Sequence, residues 1–127
     1  MTEYSHVLED IPAHDMPVGK IRMLAGKQGS IFWITTDPGT EAPLHSHPME
    51  QTTWLVSGTM DAQVDGGERH RVAPGSALLI PAGVPHQFWY LDTCTIVEFA
   101  TPPRTDWFPG AKTHPYGLEQ DEAAAAG

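Results

Sequence analysis

The sequence contains one cysteine, Cys94, and no apolar run near the ~18 residues that a transmembrane helix requires. A single cysteine excludes an intramolecular disulfide, and a reducing cytoplasm is the simplest compartment for such a chain. Residues 1–6 also lack the basic and apolar regions of a secretory signal. We therefore expect a cytoplasmic protein that does not interact with a membrane.

Basic residues are scarce, because 7 Lys and Arg stand against 16 Asp and Glu and give a net charge of −9. The sequence has no basic cluster, which argues against nucleic acid as a partner. An anionic substrate would have to be attracted locally, by a metal ion or by a suitably placed arginine. The length of 127 residues predicts one domain, over 1–118. We expect the acidic, alanine-rich tail 119–127 to be disordered, with a frayed helical turn as the alternative.

Twelve glycines and twelve prolines divide the sequence into short segments. Several of these segments are rich in Ile, Val, Thr, Trp and Phe, and none shows a convincing helical period. The β-prone segments are 30–36, 52–57, 60–64, 76–80, 86–91 and 95–100. Asp65-Gly66-Gly67 predicts a tight hairpin turn, since glycine accepts the positive φ that such turns demand. The pattern predicts an all-β fold, an antiparallel sandwich or barrel.

A His-x-His pair is the first sign of a metal site. On a strand, His45 and His47 would project from the same face. Imidazole nitrogen suits Fe, Zn, Ni, Cu or Mn. Gln51 and His86 have the polarity to complete one side of a coordination sphere, and Glu50 is the alternative to Gln51, although strand alternation points it to the opposite face. The remaining histidines are expected to be solvated; they are His6, His14, His70 and His114.

The spacing of these residues resembles the two motifs of the cupin superfamily. The first motif is Gly39-x5-His45-x-His47-x3-Gln51-x6-Gly58, and the second is Gly75-x5-Pro81-x-Gly83-x2-His86. The resemblance covers about 30–100 and implies a double-stranded β-helix, a small antiparallel β-barrel of the jelly-roll type. It also implies one divalent transition metal, Zn, Ni, Fe or Mn, bound by His45, His47, Gln51 and His86. Small cupins commonly form homodimers through an N-terminal strand, which 4–11 or 20–24 would supply here.

A narrower resemblance begins at His45-Ser46-His47-Pro48-Met49-Glu50-Gln51 and continues at 98–107. Both segments are similar to those of the KdgF-type cupins, which open the rings of unsaturated uronates from pectin and alginate. The resemblance implies that Glu98 stands in the place of a catalytic Asp. It implies likewise that Arg104 holds the substrate. Ala100 replaces a pocket phenylalanine of that group, so the cavity should have a different shape.

The residues themselves leave alternatives for these roles. Ile96, Glu98 and Ala100 alternate along one face of a core-type strand, and a carboxylate on an inward face is unfavourable unless it is paired or used. Glu98 could instead be an outward charge, and Arg104 could form a surface ion pair instead of binding substrate. Phe88 and Tyr90 lie two and four residues after His86, so on a strand they face the same side as His86. Phe88 and Tyr90 are therefore candidate pocket walls. Tyr90 could also donate a hydrogen bond to a substrate oxygen.

Three functions are compatible with this sequence. The first is a metal-dependent isomerase or lyase acting on a small acidic or keto-sugar substrate, with Glu98, Arg104 and Tyr90 as its catalytic residues. The second is a mononuclear iron dioxygenase, which Gln51 disfavours because most cupins carry Glu there and an amide stabilises high oxidation states less well. The third is a non-enzymatic sensor that binds a small molecule, which a solvent-facing Glu98 would favour.

Overall fold

The computed structural model describes residues 4–104. Ten strands make up most of this part of the chain. They are β1 (His14–Met16), β2 (Gly19–Ala25), β3 (Ser30–Thr36), β4 (Thr40–His45), β5 (Glu50–Ser57), β6 (Met60–Val64), β7 (His70–Val72), β8 (Ala77–Ile80), β9 (His86–Tyr90) and β10 (Thr95–Thr101). The helical content of residues 4–104 is one 3-10 turn, Leu8–Asp10, and no helix there has the length or hydropathy needed to cross a membrane.

The strands form two antiparallel sheets that face each other. The six-stranded sheet has the order β1-β2-β3-β10-β5-β8, and the four-stranded sheet has the order β4-β9-β6-β7. Buried apolar side chains fill the space between them, and the largest that are fully buried include Phe32, Ile21 and Met60. This arrangement confirms the predicted all-β jelly roll.

All six predicted β-prone segments form strands, with ends that shift by one or two residues at most. The short strands β1 and β7 were not predicted. Strand β4 was not predicted as a separate segment either, because Pro43 and Glu41 lower its β-propensity. Its pairing with β9 compensates for that low propensity.

The Asp65-Gly66-Gly67 turn joins β6 to β7 as predicted. Asp65 and Gly66 have φ of 54° and 70°, and the Gly67 N–H donates to the carbonyl of Val64 over 3.0 Å. Positive φ at both central residues is the requirement of a type I′ hairpin turn, whose twist matches that of the strands beside it. Aspartate and glycine satisfy this requirement at little steric cost.

The outer face of the six-stranded sheet exposes large apolar side chains. Trp54 is 45% exposed, Leu79 63% and Phe99 45%, and the register of β5 with β8 and β10 places them on one surface. Of the two segments expected to pair with a second copy, 20–24 lies in β2, which is already paired with β1 and β3. The homodimer itself stays a prediction.

A cluster of charged side chains connects β6 to β7 and β9. Asp61 accepts from Arg71 Nε at 2.6 Å and from Arg69 Nε at 3.0 Å. The Arg69 guanidinium also lies 4.0 Å from the ring centroid of Trp89. The hydrogen bond from Arg71 is the main reason that the pKa of Asp61 lies below its ordinary value.

We predict that Asp61→Asn lowers the free energy of unfolding by about 0.5–1 kcal/mol at pH 7, because the arginines are partly exposed and water screens them. The pKa of Asp61 is lowered in the folded state, so this stabilisation is present above the unfolded pKa of 3.8 and is lost as the pH falls through the folded value. Urea unfolding at several pH values would measure it. Asp15→Asn is the control. Asp15 and Lys20 form an ion pair in which both side chains are exposed, so we expect no change in the free energy of unfolding. A loss that is equal at all pH values would contradict the electrostatic origin.

Candidate metal centre

Three histidines converge between the two sheets at one end of the fold. His45 ends β4, His86 begins β9, and the two residues are paired across these strands. His47 joins them from the segment that follows β4. The ring centroids of His45 and His86 are 4.2 Å apart and those of His47 and His86 4.9 Å apart. One nitrogen of each ring lies within 4.8 Å of the others, which is the geometry of a candidate metal site.

The expectation that His45 and His47 share one strand is wrong for His47. Strand β4 ends at His45 and β5 begins at Glu50, so His47 lies in the segment between them. Hydrogen bonding positions it instead, because the carbonyl of His47 accepts from the Gly83 N–H over 2.8 Å. Gly83 has φ of +78°, a conformation that side-chain-bearing residues rarely adopt. The glycine of the second motif therefore supports a histidine of the first.

Backbone carbonyls determine which ring nitrogen of each histidine is available. The Nδ1 atoms of His45, His47 and His86 lie 2.7, 2.9 and 2.9 Å from the carbonyl oxygens of Pro43, Met49 and Val84. A carbonyl only accepts, so each Nδ1 donates its proton to the backbone and Nε2 is the atom that is left to face a metal ion. This is the tautomer that a metal ligand needs.

The burial of His86 supports the same conclusion. Its Nε2 is buried and has no hydrogen-bond partner among residues 4–104. Burial is the main cause that lowers the pKa of His86 to about 4, and the other two histidines and Arg104 lower it further. The ring is therefore neutral at physiological pH, with a lone pair that only a cation or a donor would satisfy.

Gln51 directs its oxygen to this cluster. Oε1 lies 2.7 Å from His47 Nε2. Two ligand atoms that each lie about 2.1 Å from one ion, in directions at right angles, are ~3.0 Å apart. The observed distance is therefore close to that between neighbouring ligands of one ion. The amide nitrogen donates to Thr53 Oγ1 at 2.8 Å and to Glu98 Oε1 at 2.9 Å, and these acceptors determine which end of the amide faces the histidines. Glu50, the alternative ligand, is exposed on the opposite face.

Glu98 faces inward and is only 3% exposed, so it is not an outward charge. Its Oε1 accepts from Gln51 and, at 2.7 Å, from the Thr53 hydroxyl. Its Oε2 is buried without a hydrogen-bond partner among the described residues. Burial raises the pKa of Glu98 to about 7, an effect that the hydrogen bond from Thr53, the charge of Arg104 and the hydrogen bond from Gln51 partly oppose.

Arg104 is 4% exposed, which excludes the alternative of an exposed surface ion pair. Its backbone N–H donates to Ser30 Oγ at 3.1 Å, and this bond attaches the segment after β10 to the start of β3. Its charge acts on both Glu98 and His86. Arg104 thus lies beside the histidine cluster.

A cavity of about 250 Å³ adjoins the cluster. Both sheets and the turn between β1 and β2 contribute side chains to its wall. They are Met16, Pro17, Val18, Ile34, Glu41, Ala42, Pro43, His45, Gln51, Phe88, Tyr90, Glu98 and Arg104. Phe88 and Tyr90 are in the wall, as expected for residues that face the same side of β9 as His86. Burial raises the pKa of Tyr90 above its ordinary value, so its hydroxyl keeps its proton and can donate.

Two features of the site were missed in the sequence. Thr53 donates a hydrogen bond to Glu98. Thr53 lies two residues after Gln51 on β5, so both side chains face the same side of the strand, and this alternation was the signal in the sequence. The segment 16–18, which runs from the end of β1 into the following turn, carries no motif, and only the tertiary structure brings it to the cavity. Of the remaining histidines, His6, His14 and His70 are exposed, and His114 lies outside the described residues with 105–107 and the tail 119–127.

Comparison with known proteins agrees with this geometry. The family model described as "Cupin domain" matches residues 32–98, which is more than half of the chain. The protein is a cupin. This confirms the resemblance drawn from its two motifs. Family membership and the three-histidine cluster together indicate a metal-binding site.

Individual relatives of this cupin include an enzyme and two solved structures. It is 29% identical over 73 residues to an (R)-mandelonitrile lyase of Granulicella tundricola, a match that covers 58% of this chain and 56% of the lyase. The cupin therefore spans little more than half of that relative's length. A RmlC-like cupin of Shewanella frigidimarina superimposes with a TM-score of 0.77 at 24% identity, over 84% of this chain and 97% of the other. KdgF of Halomonas sp. gives 0.75 at 20% identity, over 84% and 100%. The likeness to these two solved structures, both below 25% identity, shows the fold alone.

We predict that EDTA lowers the Tm of the protein as purified, since an ion bound only by the folded state stabilises it by about 2.7 kcal/mol at a hundredfold excess over Kd. His45→Ala combined with His47→Ala should abolish the difference between chelated and metal-loaded protein. His70→Ala, which removes an exposed histidine, is the control and should keep it. Identical melting of the wild-type protein with and without EDTA would contradict the metal site.

A second prediction concerns Gln51 and Glu50. Gln51→Ala should reduce the metal content after dialysis, whereas Glu50→Ala should leave it unchanged, because Gln51 is buried against the histidines and Glu50 is exposed. Elemental analysis of the two variants beside the wild type would measure this. The opposite ranking would mean that β5 is displaced by one residue.

Proposed function

We propose that this cupin is a metal-dependent enzyme of the isomerase or lyase type that moves a proton on a small carboxylate-bearing substrate. One observation carries the proposal: the buried Glu98 lines the cavity together with His45 and Arg104, and its Oε2 has no hydrogen-bond partner among residues 4–104. A carboxylate buried at this depth is unfavourable unless it is paired or serves a purpose. Acid–base chemistry beside a metal ion is such a purpose.

His45, His47, His86 and Gln51 would hold the ion, because their Nε2 atoms and the amide oxygen converge. A divalent ion there would act as a Lewis acid that polarises a carbonyl or hydroxyl oxygen of the substrate. Three neutral imidazoles and a neutral amide leave the full charge of the ion available for this task. The alternative of a mononuclear iron dioxygenase is less well supported, since Gln51 brings no negative charge to stabilise oxidised iron.

Glu98 would carry the proton. Its Oε1 is engaged by Thr53 and Gln51, so Oε2 is the atom that would accept a proton from the substrate and return it to another substrate atom. The hydrogen bonds at Oε1 restrict rotation of the carboxyl group and hold Oε2 in place. Because Gln51 contacts both His47 and Glu98, the base and the metal centre share one support.

Arg104 and Tyr90 would orient the substrate. The guanidinium of Arg104 is fixed in charge at any physiological pH and matches a carboxylate bidentately. The Tyr90 hydroxyl keeps its proton and would donate to a substrate oxygen. The non-enzymatic sensor remains the alternative for this set of residues, but it was tied to a solvent-facing Glu98, and Glu98 is buried.

The match to (R)-mandelonitrile lyase supports the lyase side of this proposal, since that relative shares 29% identity over 73 residues. We propose as well that the protein is cytoplasmic and homodimeric, as expected from its sequence; neither property affects the chemistry above.

We predict that Glu98→Gln preserves folding and metal content but lowers proton transfer by about 10²–10⁴-fold, the usual contribution of a placed acid or base. Deuterium uptake from D2O next to the carbonyl of phenylpyruvate and pyruvate, followed by proton NMR with metal-loaded protein, would measure this. Glu50→Gln makes the same chemical change at an exposed position and should exchange as the wild type does. Exchange that is unaffected by Glu98→Gln, or no metal-dependent exchange at all, would argue for the sensor.

A further inference from the structure

The cavity has two chemically different ends, and strand β9 runs from one to the other. Its inward side chains are His86, Phe88 and Tyr90, with ring centroids 5.6 Å and then 6.4 Å apart. Strand β4 follows the same course, because His45 pairs with His86 and Ala42 pairs with Phe88. Along both strands the wall changes from imidazole to hydrocarbon and aromatic surface.

The opposite wall shows the same change. Gln51 and Glu98 lie at the polar end, whereas Ile34 on β3 and Val18 after β1 extend the apolar end. Among the described residues, the polar groups at the apolar end are the Tyr90 hydroxyl and the exposed carboxylate of Glu41. Among residues 4–104, the remainder of the apolar end offers no side-chain donor or acceptor to a ligand.

This surface is a poor match for a sugar acid. Each ring hydroxyl of a uronate loses hydrogen bonds to water when it is buried, and side chains such as Phe88, Ile34 and Val18 cannot replace them. An aryl or branched alkyl group gains by leaving water for the same surface. The volume of about 250 Å³ is sufficient for one ring and a short polar group.

We propose, on the basis of the function proposed above, that the substrate is an amphipathic small acid: a carboxylate with a neighbouring carbonyl or hydroxyl oxygen, joined to one compact apolar group. The oxygen-bearing end faces the histidines, Glu98 and Arg104. The apolar group lies against Met16, Val18 and Phe88. This replaces the uronate-like substrate expected from the sequence.

Three acids separate the contributions of the two ends. Mandelate and glycolate share the same 2-hydroxycarboxylate and differ by a phenyl ring, and galacturonate adds hydroxyls instead. Calorimetry on the Zn²⁺-loaded protein should show that mandelate binds about 10–100-fold more tightly than glycolate, the expected effect of burying one ring. Galacturonate should bind no more tightly than glycolate. Equal affinities for mandelate and glycolate, tighter binding of galacturonate, or no binding of mandelate would overturn the proposal.

Removing the metal distinguishes this inference from the proposed function. EDTA treatment should weaken the binding of mandelate and glycolate by a similar factor and leave their ratio unchanged, because the phenyl ring does not contact the metal site. Affinities that do not respond to EDTA would contradict the metal-dependent function, whatever their ratio. A ratio near one in the metal-loaded protein would contradict the apolar subsite alone.

A variant pair locates the subsite. Met16→Gln keeps the length of a partly buried side chain in the cavity wall and adds an amide, so it should weaken mandelate several-fold and leave glycolate unchanged. Leu79→Gln makes a similar change on the exposed outer face of the six-stranded sheet and should alter neither. An equal loss for both acids in Met16→Gln, or no loss for mandelate, would place the ring elsewhere and overturn the assignment.

Discussion

The register of β5 against β10 is the constraint on which the rest of the site depends. Thr53 pairs with Glu98 and Gln51 pairs with Ala100, so the amide, the hydroxyl and the carboxyl meet on the inner face of one sheet. Because side chains alternate between faces, a slip of one residue would turn Glu98 outward and bury Val97 in its place. The apolar neighbours Leu55 and Ile96 oppose such a slip, since they would lose their place in the core. Hydrophobic burial thus maintains the alignment of polar groups.

Polar groups buried so closely together require partners, and the fold provides most of them from its own backbone. The carbonyls of Pro43, Met49 and Val84 accept from the three histidines, each at a separation of two residues along the chain. This arrangement determines the tautomer of each ring and directs three lone pairs to a common point. Within residues 4–104, Nε2 of His86 and Oε2 of Glu98 are among the exceptions, and both adjoin the region where chemistry is proposed.

Strand alternation also explains why residues 4–104 form an apolar surface in the cavity and another on the outside of the six-stranded sheet. Inward positions beyond the metal centre form the apolar end of the cavity, whereas outward positions on β5, β8 and β10 expose Trp54, Leu79 and Phe99. The first surface is concave, which suits a small ligand. The second is broad and open, which is typical of contact between proteins.

The sequence by itself determined six of the ten strands and the hairpin at Asp65-Gly66, because period-2 alternation and turn chemistry are local properties of the chain. The spacing of its two motifs also carried the resemblance to cupins and the candidate histidines. It could not place His47, which lies beyond β4 and depends on a hydrogen bond from Gly83. Nor could it decide whether Glu98 and Arg104 face solvent, since burial is a property of how the sheets pack. The apolar end of the cavity was also decided by tertiary structure alone. Met16, Ile34 and Phe88 are distant in sequence, and only the folding of β1, β3 and β9 into facing sheets makes them one surface.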